Sequence, residues 1–179
     1  MHHPSVTIHD KQFSLYIPER KILHSVEIVA TRLSHDYRGK RPLFLSVLNG
    51  AFMFASDLMK EMSTPCEISF IRLASYSDMH STGKVKEIMG LNEDIRGRHI
   101  IIIEDIVDTG HTIAGLLPQL RQKGPASVEV ATLLIKPESL QHNLAIKYPA
   151  MSIANDFVVG YGLDYNGLGR NLRDIYKVI

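Results

Sequence analysis

The chain has a single cysteine in 179 residues, Cys66. One thiol excludes an internal disulfide and fits a reducing compartment. No apolar run approaches the ~20 residues that a membrane-crossing helix needs. The opening residues, Met1-His2-His3-Pro4, lack the apolar core of a secretory signal, so the expected location is the cytoplasm, with no membrane partner. Charge is not massed in blocks. The 20 basic and 19 acidic residues leave a formal net charge of +1, which gives no reason to expect a nucleic-acid surface. No internal repeat, low-complexity tract, domain linker or dinucleotide fingerprint is visible. His2 and His3 are read as incidental residues of a fraying terminus rather than metal ligands. The 45% hydrophobic and 22% charged content is that of an ordinary globular protein, and the length suits one domain over residues 1–179.

Apolar periodicity then orders the chain. Residues 26–33 carry Val26, Ile28, Val29, Ala30 and Leu33 at helical spacing, with Ser25 or His24 near the start. Residues 44–48 read as a core strand reaching a turn at Asn49-Gly50. Residues 51–62 read as a helix with Phe52, Phe54, Ala55, Leu58 and Met59 on its apolar side. A strand over 68–73 precedes the only long polar stretch, residues 75–98, a length that is usually functional or mobile in a compact domain. Residues 128–135 and 157–162 are further strands. Strands alternating with helices imply right-handed crossovers and a mainly parallel sheet flanked by helices, an α/β class. Pro118 should kink or break the helix that begins near residue 112, at a cost of ~3 kcal/mol in an ordinary interior.

The densest information lies in Ile100-Ile101-Ile102-Ile103-Glu104-Asp105-Ile106-Val107-Asp108-Thr109-Gly110-His111-Thr112. Four β-branched residues in a row read as a strand buried on both faces. Two carboxylates should close it. A turn of Asp, Thr and Gly follows, then a helical pattern in Ile113, Leu116, Leu117 and Leu120. The N–H groups of residues 109–112 would leave a helix N-terminus unpaired, a ready phosphate site. Glu104 and Asp105 would repel a bare phosphate but suit sugar hydroxyls or a divalent cation carried by the ligand. The ligand expected from this segment is a phosphorylated sugar, with magnesium.

That segment resembles the phosphoribosyl-pyrophosphate signature of the type I phosphoribosyltransferases. Leu48-Asn49-Gly50, Ser75-Tyr76, Leu134-Ile135-Lys136, Phe157-Val158-Val159-Gly160-Tyr161 and Leu163-Asp164-Tyr165-Asn166 with Arg170 resemble the hypoxanthine-guanine branch, in family order over residues 44–173. The resemblance implies the type I fold, with a small hood built from terminal segments. It also implies a pentosyltransferase of purine salvage that moves the 5-phosphoribosyl group from phosphoribosyl pyrophosphate to hypoxanthine or guanine and releases pyrophosphate. Magnesium would be the cofactor, the partners would be small-molecule substrates, and identical chains would associate as a dimer or tetramer.

On the residues alone, Asp108 serves equally as a helix cap and as a proton acceptor; the resemblance assigns it the purine N7 proton. Glu104 and Asp105, otherwise a solvated strand end, are implied at the ribose hydroxyls and the metal. Thr109, Gly110, His111 and Thr112 are implied at the 5′-phosphate, with His111 standing where relatives often have Lys. Lys136, otherwise a surface lysine, would donate to the purine 6-oxo group. Phe157, otherwise core, would stack on the base while Val158 reads its edge. Asp164 and Arg170, otherwise a surface ion pair, are implied at the second metal and base and at the pyrophosphate. Asn49 and Gly50 belong to the pyrophosphate loop, with Asn49 where many relatives carry Lys or Arg. Ser75-Tyr76 would open a lid over residues 75–90.

Three rival readings follow from the same residues. An enzyme of this fold acting on xanthine, adenine or a pyrimidine is disfavoured by Lys136 and Phe157, although these do not exclude xanthine. A non-catalytic phosphoribosyl-pyrophosphate sensor would need a basic nucleic-acid face or an added domain. A phosphoacceptor signalling domain would carry its acidic pair near the N-terminus and would leave Asp-Thr-Gly-His-Thr without a purpose.

Overall fold

A computed structural model describes residues 4–74 and 87–179. The elements, in chain order, begin with the hairpin β1 (Ser5–Ile8) and β2 (Lys11–Ile17) and the helix α1 (Glu19–Asp36). β3 (Leu43–Val47), α2 (Phe52–Glu61), β4 (Glu67–Ala74) and β5 (Glu87–Met89) follow. Then come β6 (His99–Val107), α3 (His111–Gln122), β7 (Ser127–Ile135), a 3-10 turn at Pro137–Ser139, β8 (Tyr148–Ser152), β9 (Val158–Val159) and β10 (Ile175–Val178).

The main sheet has the order β5-β4-β3-β6-β7-β8. β4, β3, β6, β7 and β8 run parallel, and β5 is an antiparallel edge. The winding direction reverses between β3 and β6. In a doubly wound sheet that reversal opens a crevice at the carboxyl ends of the strands, where ligands collect. A second sheet, β1-β2-β10-β9, joins both ends of the chain into a hood, as expected. Among the described residues no helix is long and apolar enough to cross a membrane.

Each face of the main sheet is covered. Phe44, Ile101, Ile103, Leu133 and Tyr148 pack against Ile22, Val26, Leu33, Phe54 and Leu58 of α1 and α2. Leu45, Ile100, Ile102 and Val130 pack against Ile113, Leu116 and Leu120 of α3. Burying each such side chain contributes ~1.5–3 kcal/mol, so the double cover fixes β6 firmly beneath the site.

Several expectations need correction. Helix α1 begins at Glu19 rather than near Ser25, because Asp174 caps it from across the fold: its Oδ1 accepts the Glu19 N–H at 2.7 Å. Phe52 is exposed, and α2 buries Phe54, Ala55 and Leu58 instead. Strand β6 does not close at the carboxylates but continues through Glu104 and Asp105 to Val107, with Glu104 buried. Helix α3 runs unbroken past Pro118, which faces solvent. The Gln119 side-chain amide donates to Gly115 O at 2.9 Å, adding a bond within the same turn. β5 lies inside the stretch read as a polar loop. The expected lid opening, Ser75 and Tyr76, lies outside the described residues.

Candidate active site

Parallel register places the central pair. Val107 of β6 is partnered with Ile135 of β7, so the next residues, Asp108 and Lys136, leave the sheet side by side. The Lys136 N–H donates to Val107 O at 3.0 Å and its Nζ to Asp108 Oδ2 at 2.8 Å. Nζ also lies 3.5 Å from Asn155 Oδ1. Lys136 is buried, whereas the Asp108 side chain is 44% exposed, so the carboxylate is the accessible half of the pair.

The segment expected to form a phosphate loop is a turn leading into α3. Gly110 takes the left-handed conformation (φ 83°) at the N-cap of α3. The first intrahelical bond is Ala114 N–H to Gly110 O at 2.9 Å, so the N–H groups before it have no intrahelical carbonyl partner, that of His111 donating to Thr109 Oγ1 at 3.4 Å. His111 Nδ1 meets Thr109 Oγ1 at 2.7 Å, and the His111 ring stands edge-on to His142 at 4.7 Å. The Gln141 N–H donates to Thr109 O at 3.0 Å, which ties the segment after β7 to the back of the loop.

Opposite stands the turn after β3. Gly50 lies against the Asp105 carboxylate: a Cβ there would fall 1.6 Å from Asp105 Oδ2. The Gly50 carbonyl is in turn approached by Gly162 of the hood, where a Cβ would sit 2.1 Å from Gly50 O. Only glycine fits at both positions. The Leu48–Asn49 peptide is cis. Asn49 Oδ1 accepts a hydrogen bond from the Arg72 guanidinium at 2.9 Å.

Burial pushes the Asp105 carboxyl up; a hydrogen bond with Glu104, the Ile106 N–H at 2.7 Å and the charge of Arg170 act in the other direction. Arg170 itself pairs with Asp164 at 2.7 Å and donates to Gly162 O at 2.7 Å, while the other Asp164 oxygen accepts the Gly167 N–H at 2.7 Å. Tyr161 clamps the hood to α2 through Asp57 at 2.5 Å.

These groups surround a cavity of about 580 Å³. Its lining includes Gly50, Glu104, Asp105, Asp108, Thr109, Gly110, His111, Thr112, Asp164 and Arg170. Asn49, Lys136, Phe157 and Val158 stand outside that lining, Lys136 reaching it through Asp108. Phe157 is 44% exposed on the hood, edge-on to Tyr165 at 5.7 Å and tilted toward Phe13 at 6.1 Å, while Val158 is buried. Among the described residues, no cluster of three or more carboxylate, His or Cys side chains could by itself hold a metal ion. Sequence reasoning missed Asn155, which no signal marked.

Known proteins share this arrangement. Residues 18–166 match the phosphoribosyl transferase domain family. The chain is 37% identical over 153 residues to the hypoxanthine-guanine phosphoribosyltransferase of Streptococcus pneumoniae strain R6, covering 85% of each chain. It is 37% identical over 166 residues to the hypoxanthine phosphoribosyltransferase of Escherichia coli K12, covering 91% of this chain and 93% of that one. The solved hypoxanthine phosphoribosyltransferase of Staphylococcus aureus superposes with a TM-score of 0.86 at 35% identity, covering 93% and 91% of the two chains. With the sheet reversal, the phosphate loop and the acidic strand end in place, this chain belongs to the phosphoribosyltransferase family.

Proposed function

We propose that the protein transfers the 5-phosphoribosyl group from phosphoribosyl pyrophosphate to N9 of hypoxanthine or guanine, giving IMP or GMP and pyrophosphate. The observation that carries the reading is one cavity at the sheet reversal where a phosphate loop, an acidic strand end and the Asp108–Lys136 pair meet. The relatives named for this activity, similar over most of their length, point the same way.

Each group has a task its chemistry suits. The N–H groups of residues 109–112 and the Thr112 hydroxyl hold the 5′-phosphate. Glu104 and Asp105 accept hydrogen bonds from the ribose hydroxyls. As N9 bonds to C1′, the purine ring becomes acidic, and the exposed Asp108 carboxylate takes up or steadies the N7 proton. Lys136, held beside Asp108, donates to the 6-oxo group; adenine presents a donor there and is disfavoured. Phe157 offers the base an exposed ring on the hood, beside Val158.

Magnesium belongs to this reading. Glu104 and Asp105 are adjacent, and burial disfavours charge on Asp105, so a cation or hydroxyl donor arriving with the substrate relieves the pair. A two-carboxylate edge without a protein cage is how magnesium commonly binds, its other ligands being substrate oxygens and water. Held by Glu104 and Asp105, magnesium would supply neutralisation of charge on the departing pyrophosphate. We also place the enzyme in the cytoplasm, where the free Cys66 meets a reducing medium, and as an association of identical chains that would cover exposed Phe52 and Phe70.

The test is to incubate the protein with phosphoribosyl pyrophosphate, magnesium and hypoxanthine, guanine, xanthine or adenine separately, and identify the nucleotide formed. IMP and GMP are expected. Xanthosine or adenosine monophosphate alone, or no nucleotide from any base, overturns the reading.

A further inference from the structure

We propose that Tyr161 is a positioning residue: its hydroxyl, anchored on Asp57 of α2, sets where the hood's half of the cavity stands against the half built on the main sheet. The inference rests on the functional reading above and concerns two residues that stand outside the cavity lining. The Tyr161 hydroxyl donates to Asp57 Oδ2 at 2.5 Å, while Lys60 occupies Asp57 Oδ1 at 2.6 Å. Burial, and then the bond to the Asp57 carboxylate, push the phenol far above its ordinary value, so it stays a donor across the neutral range.

Core filling alone does not account for a tyrosine here. Residues 160–162 all take the left-handed region, with φ of 99°, 49° and 99°. That conformation is costly at Tyr161 and persists only where surrounding contacts hold it. The ring is buried, and the Tyr161 N–H donates to Leu172 O at 2.8 Å. Gly162 then presses on the turn after β3: a Cβ there would sit 2.1 Å from Gly50 O and 3.8 Å from Met53 Cβ. Met53 and Asp57 are one turn apart on the same face of α2, so this helix meets residues 161–162 at two points. Gly162 in turn holds Arg170. Its N–H donates to Arg170 O at 3.0 Å and its carbonyl accepts from Arg170 Nη1 at 2.7 Å, while Arg170 Nη2 pairs with Asp164 at 2.7 Å. Arg170 and Asp164 line the cavity from the hood, and Gly50 and Asp105 line it from the sheet. Without the bond to Asp57, Gly162 can lift from Gly50 and carry Arg170 with it. Misplacement by about 1 Å, even by a change far from the reacting atoms, can cost roughly 10²-fold in rate.

Tyr161→Phe keeps the ring and removes only the hydroxyl, and Asp57→Ala removes its acceptor, so either single variant alone carries the kinetic test. With magnesium and saturating hypoxanthine, kcat/KM for phosphoribosyl pyrophosphate should fall about tenfold in each. The double variant should lose no more than about twofold beyond either single, because both remove the same bond. Asp57→Asn, whose amide oxygen still accepts from the phenol, should stay within about threefold of wild type. Inhibition by ribose 5-phosphate, which on this reading meets the loop and acidic edge of β6 rather than the hood, should keep its strength within about twofold. Wild-type kinetics beside a lowered melting midpoint would make the bond a brace of the core and overturn the inference. Multiplied losses in the double variant, an Asp57→Asn as impaired as Asp57→Ala, or an equal loss of ribose 5-phosphate affinity overturns it too. A wild-type protein that makes no nucleotide from any base overturns the functional reading instead.

Discussion

Asp108 and Lys136 stand 2.8 Å apart because two parallel strands end in register, and one is exposed while the other is buried. The two groups proposed to donate to the base and to take its proton are therefore positioned by the same sheet edge. A change in either should disturb the purine side of the reaction while sparing the phosphate side, which is built from α3 and its loop.

Asp108→Asn should lower turnover by about 10²-fold or more, the usual range for a general base, and leave phosphoribosyl pyrophosphate affinity within a few-fold. Rapid-quench turnover and equilibrium binding on the same preparation check both halves. Near-normal turnover at saturating substrates would remove the proton-handling role and leave Asp108 as the ion-pair partner of Lys136.

Lys136→Ala should weaken productive use of hypoxanthine and guanine by about tenfold or more, since an unpaired acceptor in a closed site costs ~1–3 kcal/mol. Binding of phosphoribosyl pyrophosphate should change little. Equal loss for both substrates in kcat/KM and in calorimetric affinity would remove the base-specific role.

Gly50→Ala should be harsher on activity than its single methyl suggests. The new Cβ would collide with the Asp105 carboxylate, which must move, and overpacking of this kind costs ~1–3 kcal/mol. Kinetics should show weakened phosphoribosyl pyrophosphate use of about tenfold, with a melting curve that remains cooperative. Wild-type kinetics would mean that Asp105 yields freely and that the close approach has no functional weight.

Much of this site was legible because it is local. The phosphate loop, its glycine and the acidic pair occupy one run of residues, and strand-to-helix alternation gave the sheet class. What escaped depends on contacts distant in sequence. The start of α1 was placed too late because its cap comes from Asp174, 155 residues away. The hood's strands were read only through the family resemblance, although Phe13, Leu15 and Ile17 alternate along β2; its partner β10 is four residues long and lies at the other end of the chain. Strand β6 outran its expected end because its ladder with β7 continues past the carboxylates, Glu104 pairing with Thr132 and Ile106 with Leu134.

Acid should expose a second fixture, at the far end of α1. The Tyr148 hydroxyl donates to Asp36 at 2.7 Å and, with His35 and Lys147, holds that carboxyl down to about 2. A carboxyl lowered on folding adds stability above its unfolded value, near 3.9, and loses it as pH falls through the folded value. The stability difference between wild type and Tyr148→Phe should therefore shrink as pH drops from about 4 to about 2. Denaturant melts at stepped pH test this; a difference constant across that window would show that the contact does not hold the charge.

The pairing of β2 with β10 also sets an order of assembly. Residues 43–152 contain every strand of the main sheet, so that sheet and its phosphate loop can form while the chain is still leaving the ribosome. The hairpin β1–β2, made first, has to wait for Ile175 to pair with Ile17 before it can dock. Contacts so far apart in sequence close late and slowly. The loop after β6 and the Asp108–Lys136 pair thus belong to the older part of each newly made molecule, and the hood, with Phe157, Asp164 and Arg170, completes the cavity last.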